Sequence, residues 1–187
     1  MIRILVGRAV VCLGVLLVLL ALYLGFLQLG GNFHEVLPGR FYRSAQLSGP
    51  AFGRYIETYK IGTIINLRGA KPGAAWYEEE LAAARVHGVD HFDFAMSARR
   101  ELTPDESLQL VALMRRAKGP LLVHCKSGAD RTGLASVMYL QQIAGVDEET
   151  AEWQLTPLFG HLNLPFIGAY AMDDTWEQFE KLIGLDS

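Results

Sequence analysis

The sequence predicts an α/β fold with a mainly parallel central sheet flanked by helices, preceded by one N-terminal transmembrane helix. Two observations lead to this prediction. Along residues 41–187, short apolar or β-branched runs alternate with segments of helical length, and glycine or proline separates most of them. Residues 1–29 form instead one long, mainly apolar segment. Alternating strands and helices are typical of a mainly parallel sheet with helices packed on its faces.

The N-terminal segment has the length and composition of a membrane span. Residues 9–27 carry no charged or strongly polar side chain, and Arg3 and Arg8 precede them. A helix of this length, at about 1.5 Å per residue, roughly matches the thickness of a hydrocarbon core. Because the positive charges precede the span, we expect a cytoplasmic N-terminus and the rest of the chain on the far side of the membrane.

Two other interpretations of this segment stay open. A cleavable signal peptide has a shorter apolar core and an A-x-A-like end, whereas residues 27–31 are LQLGG. A buried core helix is seldom apolar on every face. We therefore expect an uncleaved single-pass anchor over residues 1–29.

After a linker expected over residues 30–40, the remainder has room for one domain of ordinary size, over residues 41–187. The predicted strands are residues 41–43, 62–67, 89–95 and 120–123. The predicted helices are residues 48–60, 74–86, 103–116, 134–143, 147–158 and 171–183.

Local signals support these elements in chain order. Residues 48–50 (SGP) are typical of a helix start, and residues 63–65 (TII) indicate a buried strand. Gly88 ends the second helix, in which the acidic residues 78–80 are expected to form a solvated face. Residues 103–106 (TPDE) combine a helix cap, a proline at the first helical position and acidic residues in the first turn.

Composition excludes few classes of protein. The formal net charge is −3, so nothing indicates nucleic-acid binding through a global basic field. The two cysteines are Cys12, within the apolar segment, and Cys125. Neither has the context of a disulfide partner, so cysteine content does not indicate the redox compartment.

Residues 124–133 (HCKSGADRTG) carry the strongest chemical signal. Cys125 directly follows the predicted strand 120–123, and Arg131 lies six residues further on. Small residues between them let backbone N–H groups turn inward, so the loop and the start of the next helix can hold an anion. The guanidinium of Arg131 suits two phosphate oxygens, and positive surroundings favour the reactive thiolate of Cys125. This arrangement suits attack on a phosphate ester.

Other interpretations of this loop fit less well. An unpaired cysteine at a strand end is usually a small buried apolar residue. A zinc or redox motif is disfavoured because the chain has no CxxC pair. A Walker-type nucleotide loop would need a GKS or GKT ending, which is missing.

The stretch resembles the HCxxGxxR[ST]G signature of the cysteine-dependent protein tyrosine and dual-specificity phosphatases. The resemblance extends over residues 33–183, with weaker matches at residues 41–46 (FYRSAQ) and 65–69 (INLRG) that are similar to small bacterial members. It implies that Cys125 forms a phosphocysteine, that Arg131 clamps the phosphate and that the Thr132 hydroxyl stabilises the thiolate. It also implies that no metal or cofactor is needed. The residues then expected to bind the substrate phosphate are Lys126, Ser127, Gly128, Ala129 and Thr132.

The resemblance leaves the general acid open. The family usually supplies an aspartate from an upstream loop, but residues 96–102 (MSARREL) contain none. Asp130 gives the spacing CxxGxDR, which resembles myotubularin-type lipid phosphatases, in which that aspartate is thought to act as the acid. It is also similar to some bacterial tyrosine phosphatases that act on lipid phosphates. A structural salt bridge or cap is the alternative role for Asp130. Glu101 and Asp93 rank after it.

Residues around the loop suggest further roles. Lys126 would add positive charge at the pocket mouth. Ala129 occupies a position where phosphoinositide phosphatases often carry a second lysine, which weakens an inositide interpretation. Arg68 either faces the pocket or pairs with the acidic helix, and residues 99–100 (RR) either rim the pocket or lie in a solvated loop. His124 is expected to be a structural hydrogen-bonding residue. The residues expected only to pack are His161, Trp76, Trp153 and Trp176.

The leading hypothesis is a membrane-anchored, metal-independent phosphatase that acts on a phosphorylated protein or a lipid phosphate. The alternative is a membrane-tethered pseudophosphatase that binds phosphate without turnover, and the missing upstream aspartate keeps it open. A sulfurtransferase also uses a cysteine loop after a strand, but Arg131 and Thr132 fit phosphate better.

Overall fold

The computed structural model describes residues 2–185, and their side chains from residue 6 onward. Five short strands form one sheet, and seven α-helices and two single-turn 3-10 helices surround it or precede it. The strands are β1 His34–Leu37, β2 Phe41–Ser44, β3 Thr63–Asn66, β4 Asp90–Asp93 and β5 Leu121–His124. The helices are α1 Ile2–Leu29, α2 Gly49–Tyr59, α3 Ala75–His87, α4 Pro104–Arg115, α5 Asp130–Gln142, α6 Glu148–Glu152 and α7 Ala171–Ile183. The 3-10 turns are Pro157–Phe159 and Gly168–Tyr170.

The sheet has the order β1-β2-β5-β3-β4, and β5 occupies its centre. The pairs β2–β5, β5–β3 and β3–β4 are parallel, whereas β1 pairs with β2 in the antiparallel direction. The sheet is therefore mixed, with a parallel core as expected. The last residues of the four parallel strands lie in register with one another at one edge. Cys125, which follows β5, lies at this carboxyl edge, where α/β sheets place their ligand sites.

Both faces of β5 are buried, and alternate residues pack into two different layers. Leu121 and Val123 face the layer formed mainly with α4, α5 and α7. Leu122 faces the layer formed mainly with α2 and α3. All residues of β2, β3 and β5 are buried. Central strands that are covered on both faces show no alternation of apolar and polar residues. Their apolar and β-branched composition therefore predicts them better than any two-residue period of hydrophobicity.

The segment expected to be a linker contains a strand. Residues 34–37 form β1, in which His34 pairs with Arg43. The backbone N–H of Asn32 donates to the Leu27 carbonyl at 2.7 Å, and that of Ala45 donates to Gly31 at 2.8 Å. The chain therefore passes from α1 into the sheet without a free spacer. A four-residue edge strand is too short to show a recognisable pattern in the sequence.

The closing segment also differs from the predicted pair of long helices. The predicted helix 147–158 is instead the short α6, followed by a turn and a 3-10 turn. Thr156 has an extended backbone with φ −137° and ψ 168°, immediately before Pro157. Proline disfavours a helical conformation for the residue that precedes it, so the helix cannot run through this point.

Helix α1 stands apart from both core layers for most of its length. Residues 6–29 have a mean hydropathy of 2.9 in their most apolar window, of which 6% is buried. This exposure argues against a core helix of a soluble protein. By length and composition the helix can cross a membrane, and a signal sequence would satisfy the same criterion.

Candidate active site

The loop after β5 folds around the sulfur of Cys125. Cys125 is buried, and the backbone N–H of Gly128 donates to its Sγ at 3.3 Å. Gly128 has φ +72°, and a Cβ at this position would lie 2.6 Å from the backbone nitrogen of Ala45. Only glycine allows both this conformation and this approach. The closed loop therefore depends on the glycine that the sequence motif contains.

Helix α5 begins at Asp130, so the last part of the loop motif forms the first turn of the helix and the first N–H groups of the helix lie at the site. The first N–H groups of a helix have no partner within the helix and carry a partial positive charge. Such an end favours an anion, whether a thiolate or a bound phosphate. The helix N-terminus thus supplies the positive field that the sequence predicted.

The guanidinium of Arg131 hydrogen-bonds to two backbone carbonyls and keeps N–H donors that none of the described residues uses. Its Nη1 donates to the carbonyls of Leu67 at 3.3 Å and Met96 at 3.2 Å. Its Nε is buried and has no hydrogen-bond partner within the described residues. A buried donor without an acceptor is unfavourable. Arg131 is therefore suited to binding an oxyanion.

Thr132 is fully buried, but its hydroxyl does not make the predicted contact with the sulfur. The hydroxyl has no hydrogen-bond partner within residues 2–185. The carbonyl of Thr132 accepts a hydrogen bond from Ser136 Oγ at 2.7 Å. The stabilisation of the sulfur seen in the structure comes from the Gly128 amide instead.

Arg43 was not identified as a site residue from the sequence, although it braces the loop. Its side chain is fully buried, and Nη2 donates to the carbonyls of Gly128 at 2.8 Å and Ala129 at 3.3 Å. Because a trans peptide places C=O and N–H on opposite sides, holding these carbonyls on one side turns the following N–H groups to the other. Burial lowers the pKa of Arg43 to about 9, although the charges of Cys125 and Asp130 oppose this shift. The guanidinium is therefore still protonated at neutral pH.

Arg43 also ties the loop to the segment that follows α6. Its Nη1 donates to the carbonyl of Gln154 at 2.6 Å and to Oε1 of the same residue at 2.9 Å. The guanidinium lies 4.1 Å from the ring centroid of Phe159. The feature of the sequence that could have indicated this role is a charged arginine within the predicted buried strand, residues 41–44 (FYRS).

Glu80 contradicts the prediction that residues 78–80 form a solvated face. It is fully buried, and its Oε1 accepts from His124 Nε2 at 2.8 Å and from His91 Nε2 at 2.7 Å. Its Oε2 accepts from Gln46 at 2.8 Å. Burial alone would raise the pKa of Glu80, but the imidazole of His124 and these hydrogen bonds lower it to about 2. His124 thus has the structural hydrogen-bonding role that the sequence suggested.

Arg68 lies near Cys125 and Arg131, and within the described residues it forms no ion pair with the acidic residues of α3. Its guanidinium stacks 3.4 Å from the ring centroid of Trp76, and Nη1 donates to Gln46 Oε1 at 2.7 Å. Burial, together with the nearby charge of Arg131, lowers the pKa of Arg68, although Glu80 and Cys125 act in the opposite direction. Trp76 therefore orients a cation near the site and does not serve only in packing.

Asp130 forms one end of a buried network centred on His161. Nδ1 of His161 lies 2.9 Å from Asp130 Oδ1, and Nε2 lies 2.8 Å from Asp173 Oδ2. Burial would lower the pKa of His161, but hydrogen bonds to the two carboxylates and their charges raise it to about 9. His161 is thus protonated at neutral pH and is more than a packing residue. The salt bridge proposed as the alternative role of Asp130 is present.

The other two candidate acids are engaged elsewhere. Asp93 accepts from Tyr77 Oη at 2.5 Å and from Asn66 Nδ2 at 2.7 Å. The hydrogen bond to Asp93, assisted by burial, raises the pKa of Tyr77 to about 12. Glu101 accepts from Gln178 of α7. Among the described residues, no candidate carboxylate hydrogen-bonds to Cys125 or to Arg131.

The basic residues predicted around the pocket differ in their surroundings. Arg100 forms a bidentate ion pair with Glu106, at 2.8 and 2.9 Å, and Glu106 also completes the cap of α4. Arg100 is therefore committed to the start of that helix. Lys126 and Arg99 are exposed.

The end of α1 contacts the loop directly, which the sequence did not reveal. Gln28 Nε2 donates to the Ser127 carbonyl at 3.2 Å, and Asn32 Nδ2 donates to the same carbonyl at 3.0 Å. Asn32 Nδ2 also donates to the carbonyl of Phe159 at 2.9 Å. One turn earlier, Tyr23 Oη donates to the Leu158 carbonyl. The loop around Cys125 is thus held by the last turns of the apolar helix.

Comparison with known proteins places these features in a family. A family model described as "Tyrosine phosphatase family" matches residues 24–159, which is more than half of the chain. The match includes the whole loop around Cys125 and Arg131.

Solved structures show the same fold. TpbA of P. aeruginosa is 23% identical with a TM-score of 0.59, over 80% of this chain and 91% of that chain. The core catalytic domain of the PP-IP phosphatase SIW14 from S. cerevisiae is 18% identical with a TM-score of 0.59, over 82% and 93% of the two chains. Human DUSP28 is 18% identical with a TM-score of 0.57, over 83% and 98%. At these identities, the similarity establishes the fold.

Proposed function

The chain belongs to the tyrosine phosphatase family, and we propose that it hydrolyses phosphate monoesters through a phosphocysteine intermediate on Cys125. One observation carries this proposal. A buried cysteine sulfur accepts a hydrogen bond from a loop amide just before a helix begins, and an arginine in the first turn of that helix has a buried Nε without a hydrogen-bond partner among residues 2–185. This arrangement combines a nucleophile with donors for the oxygens of a phosphoryl group.

In the first step, the sulfur of Cys125 attacks phosphorus. The S–P bond forms as the bond from phosphorus to the ester oxygen breaks, and the leaving oxygen takes up a proton. In the second step, water attacks phosphorus and the S–P bond breaks. This step releases inorganic phosphate and restores the thiolate. Every atom of the ester and of the water is accounted for without a metal or a cofactor.

Charge develops on the phosphoryl oxygens during both steps, and the loop supplies their donors. We assign the phosphate cradle to the backbone of residues 126–129, to Thr132 and to the guanidinium of Arg131. Part of this backbone is fixed before substrate binds, because Arg43 holds the carbonyls of Gly128 and Ala129. Preorganised donors of this kind stabilise a transition state without reorganisation.

Asp130 is our first candidate for the acid that protonates the leaving oxygen, since it alone of the three candidates lies in the loop. Its Oδ1 is engaged by His161 at 2.9 Å, and this engagement away from Cys125 works against this role. The same observation supports the alternative function, a phosphate-binding protein without turnover. Phosphotyrosine, phosphoserine or phosphothreonine and lipid phosphates are the candidate substrates. TpbA has been solved in complex with pTyr.

We further propose that α1 anchors the protein in a membrane, with its N-terminus in the cytoplasm and the catalytic domain on the far side. The apolar helix and its preceding arginines support this arrangement. The contacts of Gln28 and Asn32 with Ser127 then hold the catalytic loop beside the end of the span. A phosphoprotein or a lipid phosphate at the membrane surface would be within reach of that loop.

We predict that Cys125→Ser abolishes phosphate release by the full-length protein in detergent, because a hydroxyl is a far weaker nucleophile than a thiolate. Arg131→Ala should lower kcat by about 10²–10³-fold, the usual cost of losing a transition-state donor. The assay measures release from an aryl phosphate with EDTA present. Cys12→Ser is the matched control and should retain full activity, because Cys12 lies on α1 outside the site. Turnover by Cys125→Ser would contradict the cysteine mechanism.

The variant Asp130→Asn tests whether Asp130 is the general acid that protonates the leaving oxygen. If Asp130 protonates the leaving oxygen, the variant loses more activity with an alkyl phosphate than with an aryl phosphate that has a good leaving group. Asp173→Asn is the control, because both carboxylates bind His161 but only Asp130 belongs to the loop. We expect the leaving-group dependence in Asp130→Asn alone. The same loss for both esters in both variants would show that Asp130 serves only in the His161 network.

The orientation is tested by labelling intact cells that express Phe166→Cys. Phe166 is 84% exposed, whereas Cys125 is buried and Cys12 lies within the proposed membrane span. A membrane-impermeant maleimide should therefore label the variant from outside, and the parent protein should remain unlabelled. Labelling that occurs only after lysis would contradict the proposed orientation.

A further inference from the structure

Three glutamate side chains converge between α6 and α7, outside the catalytic loop. Glu148 and Glu152 lie four residues apart on α6, and Glu180 lies on α7. One carboxylate oxygen from each lies within 4.8 Å of the others. Residues four apart share one face of a helix, so α6 presents two carboxylates toward the third.

Glu180 is the unusual member of this group. It is 1% exposed, and neither carboxylate oxygen has a hydrogen-bond donor within residues 2–185. Burying a charged group without a partner is among the most unfavourable events in folding. A buried carboxylate that faces two others requires either a proton or a cation.

The surroundings supply one neutral donor and no protein cation. Trp176 Nε1 donates to Glu152 Oε1 at 2.8 Å, which orients that carboxylate. Among the described residues, no lysine, arginine or histidine forms a salt bridge with any of the three.

We propose that Glu148, Glu152 and Glu180 bind a divalent cation, with Ca²⁺ the best match. Carboxylate oxygens are the ligands that hard cations prefer. Ca²⁺ accepts six to eight oxygens in flexible geometry, whereas Mg²⁺ demands a near-ideal octahedron. A cavity of about 460 Å³ lies beside the cluster, and Glu152 and Trp176 are among the residues that line it.

The bound cation would stabilise the packing of α6 against α7 and would take no part in phosphoryl transfer. Helix α7 also carries Asp173, which binds His161 and through it Asp130 of the catalytic loop. The cation site and the catalytic loop therefore share one structural support. The proposal does not depend on turnover, because it concerns residues that do not touch the loop.

Tb³⁺ is a direct probe of this site. It replaces Ca²⁺ at oxygen sites, and its luminescence is excited by energy transfer from a nearby indole. The indole of Trp176 is hydrogen-bonded to Glu152, one of the three proposed ligands. Full-length protein stripped with EDTA should show tryptophan-sensitised Tb³⁺ luminescence that excess Ca²⁺ removes. Ca²⁺ alone should raise the Tm of the stripped protein.

Glu180→Gln should abolish both the luminescence and the effect of Ca²⁺ on Tm. Glu177→Gln is the matched control on α7 and should retain both, because Glu177 is exposed and lies outside the cluster. Glu148→Gln provides a second test that does not disturb a buried position, and it should weaken Tb³⁺ binding at least tenfold.

Three results would overturn the proposal. The first is the absence of both luminescence and a Ca²⁺-dependent rise in Tm in the stripped parent protein. The second is Tb³⁺ binding that is unchanged in both Glu180→Gln and Glu148→Gln. The third is a combination of two findings: the Tm of Glu180→Gln is above that of the parent protein, and Ca²⁺ changes the Tm of neither protein. That result would show that a proton, and not a cation, neutralises Glu180.

Discussion

The fully buried guanidinium of Arg43 is the constraint on which the site depends. It accounts for the direction of two consecutive carbonyls, those of Gly128 and Ala129, and so turns the amides of Ala129 and Asp130 to the opposite side. The free energy lost when the charge is desolvated is offset by four hydrogen bonds and by the face of Phe159.

Two other buried networks complete the support of the same loop. On one side, Glu80 gathers His91, His124 and Gln46 behind the end of β5. On the other, His161 joins Asp130 to α7 through Asp173. Each buried charge has an opposite charge or a charge-assisted hydrogen bond, the condition under which burial is tolerated. These networks hold the loop from several sides, and a preorganised loop is what transition-state stabilisation requires.

The loop itself could be predicted because its chemistry is contiguous in sequence. Cys125, Gly128 and Arg131 lie within one strand–loop–helix unit, and the parallel core followed from the alternation of elements. The supporting residues could not be predicted in the same way. Arg43 lies 85 positions from Gly128, and Glu80 lies 44 positions from His124. Sequence patterns report local periodicity and not which distant polar groups meet, so Glu80 was assigned to a solvated face.

The most direct test of the account is to trap the covalent intermediate. Full-length protein is mixed with a phosphate ester, quenched in acid within one turnover and digested, and the peptide that contains Cys125 is analysed by mass spectrometry. The account predicts one phosphoryl group on the sulfur of Cys125, which disappears as inorganic phosphate is released. Phosphate release without any phosphoryl group on Cys125, or with the group on another residue, would contradict it.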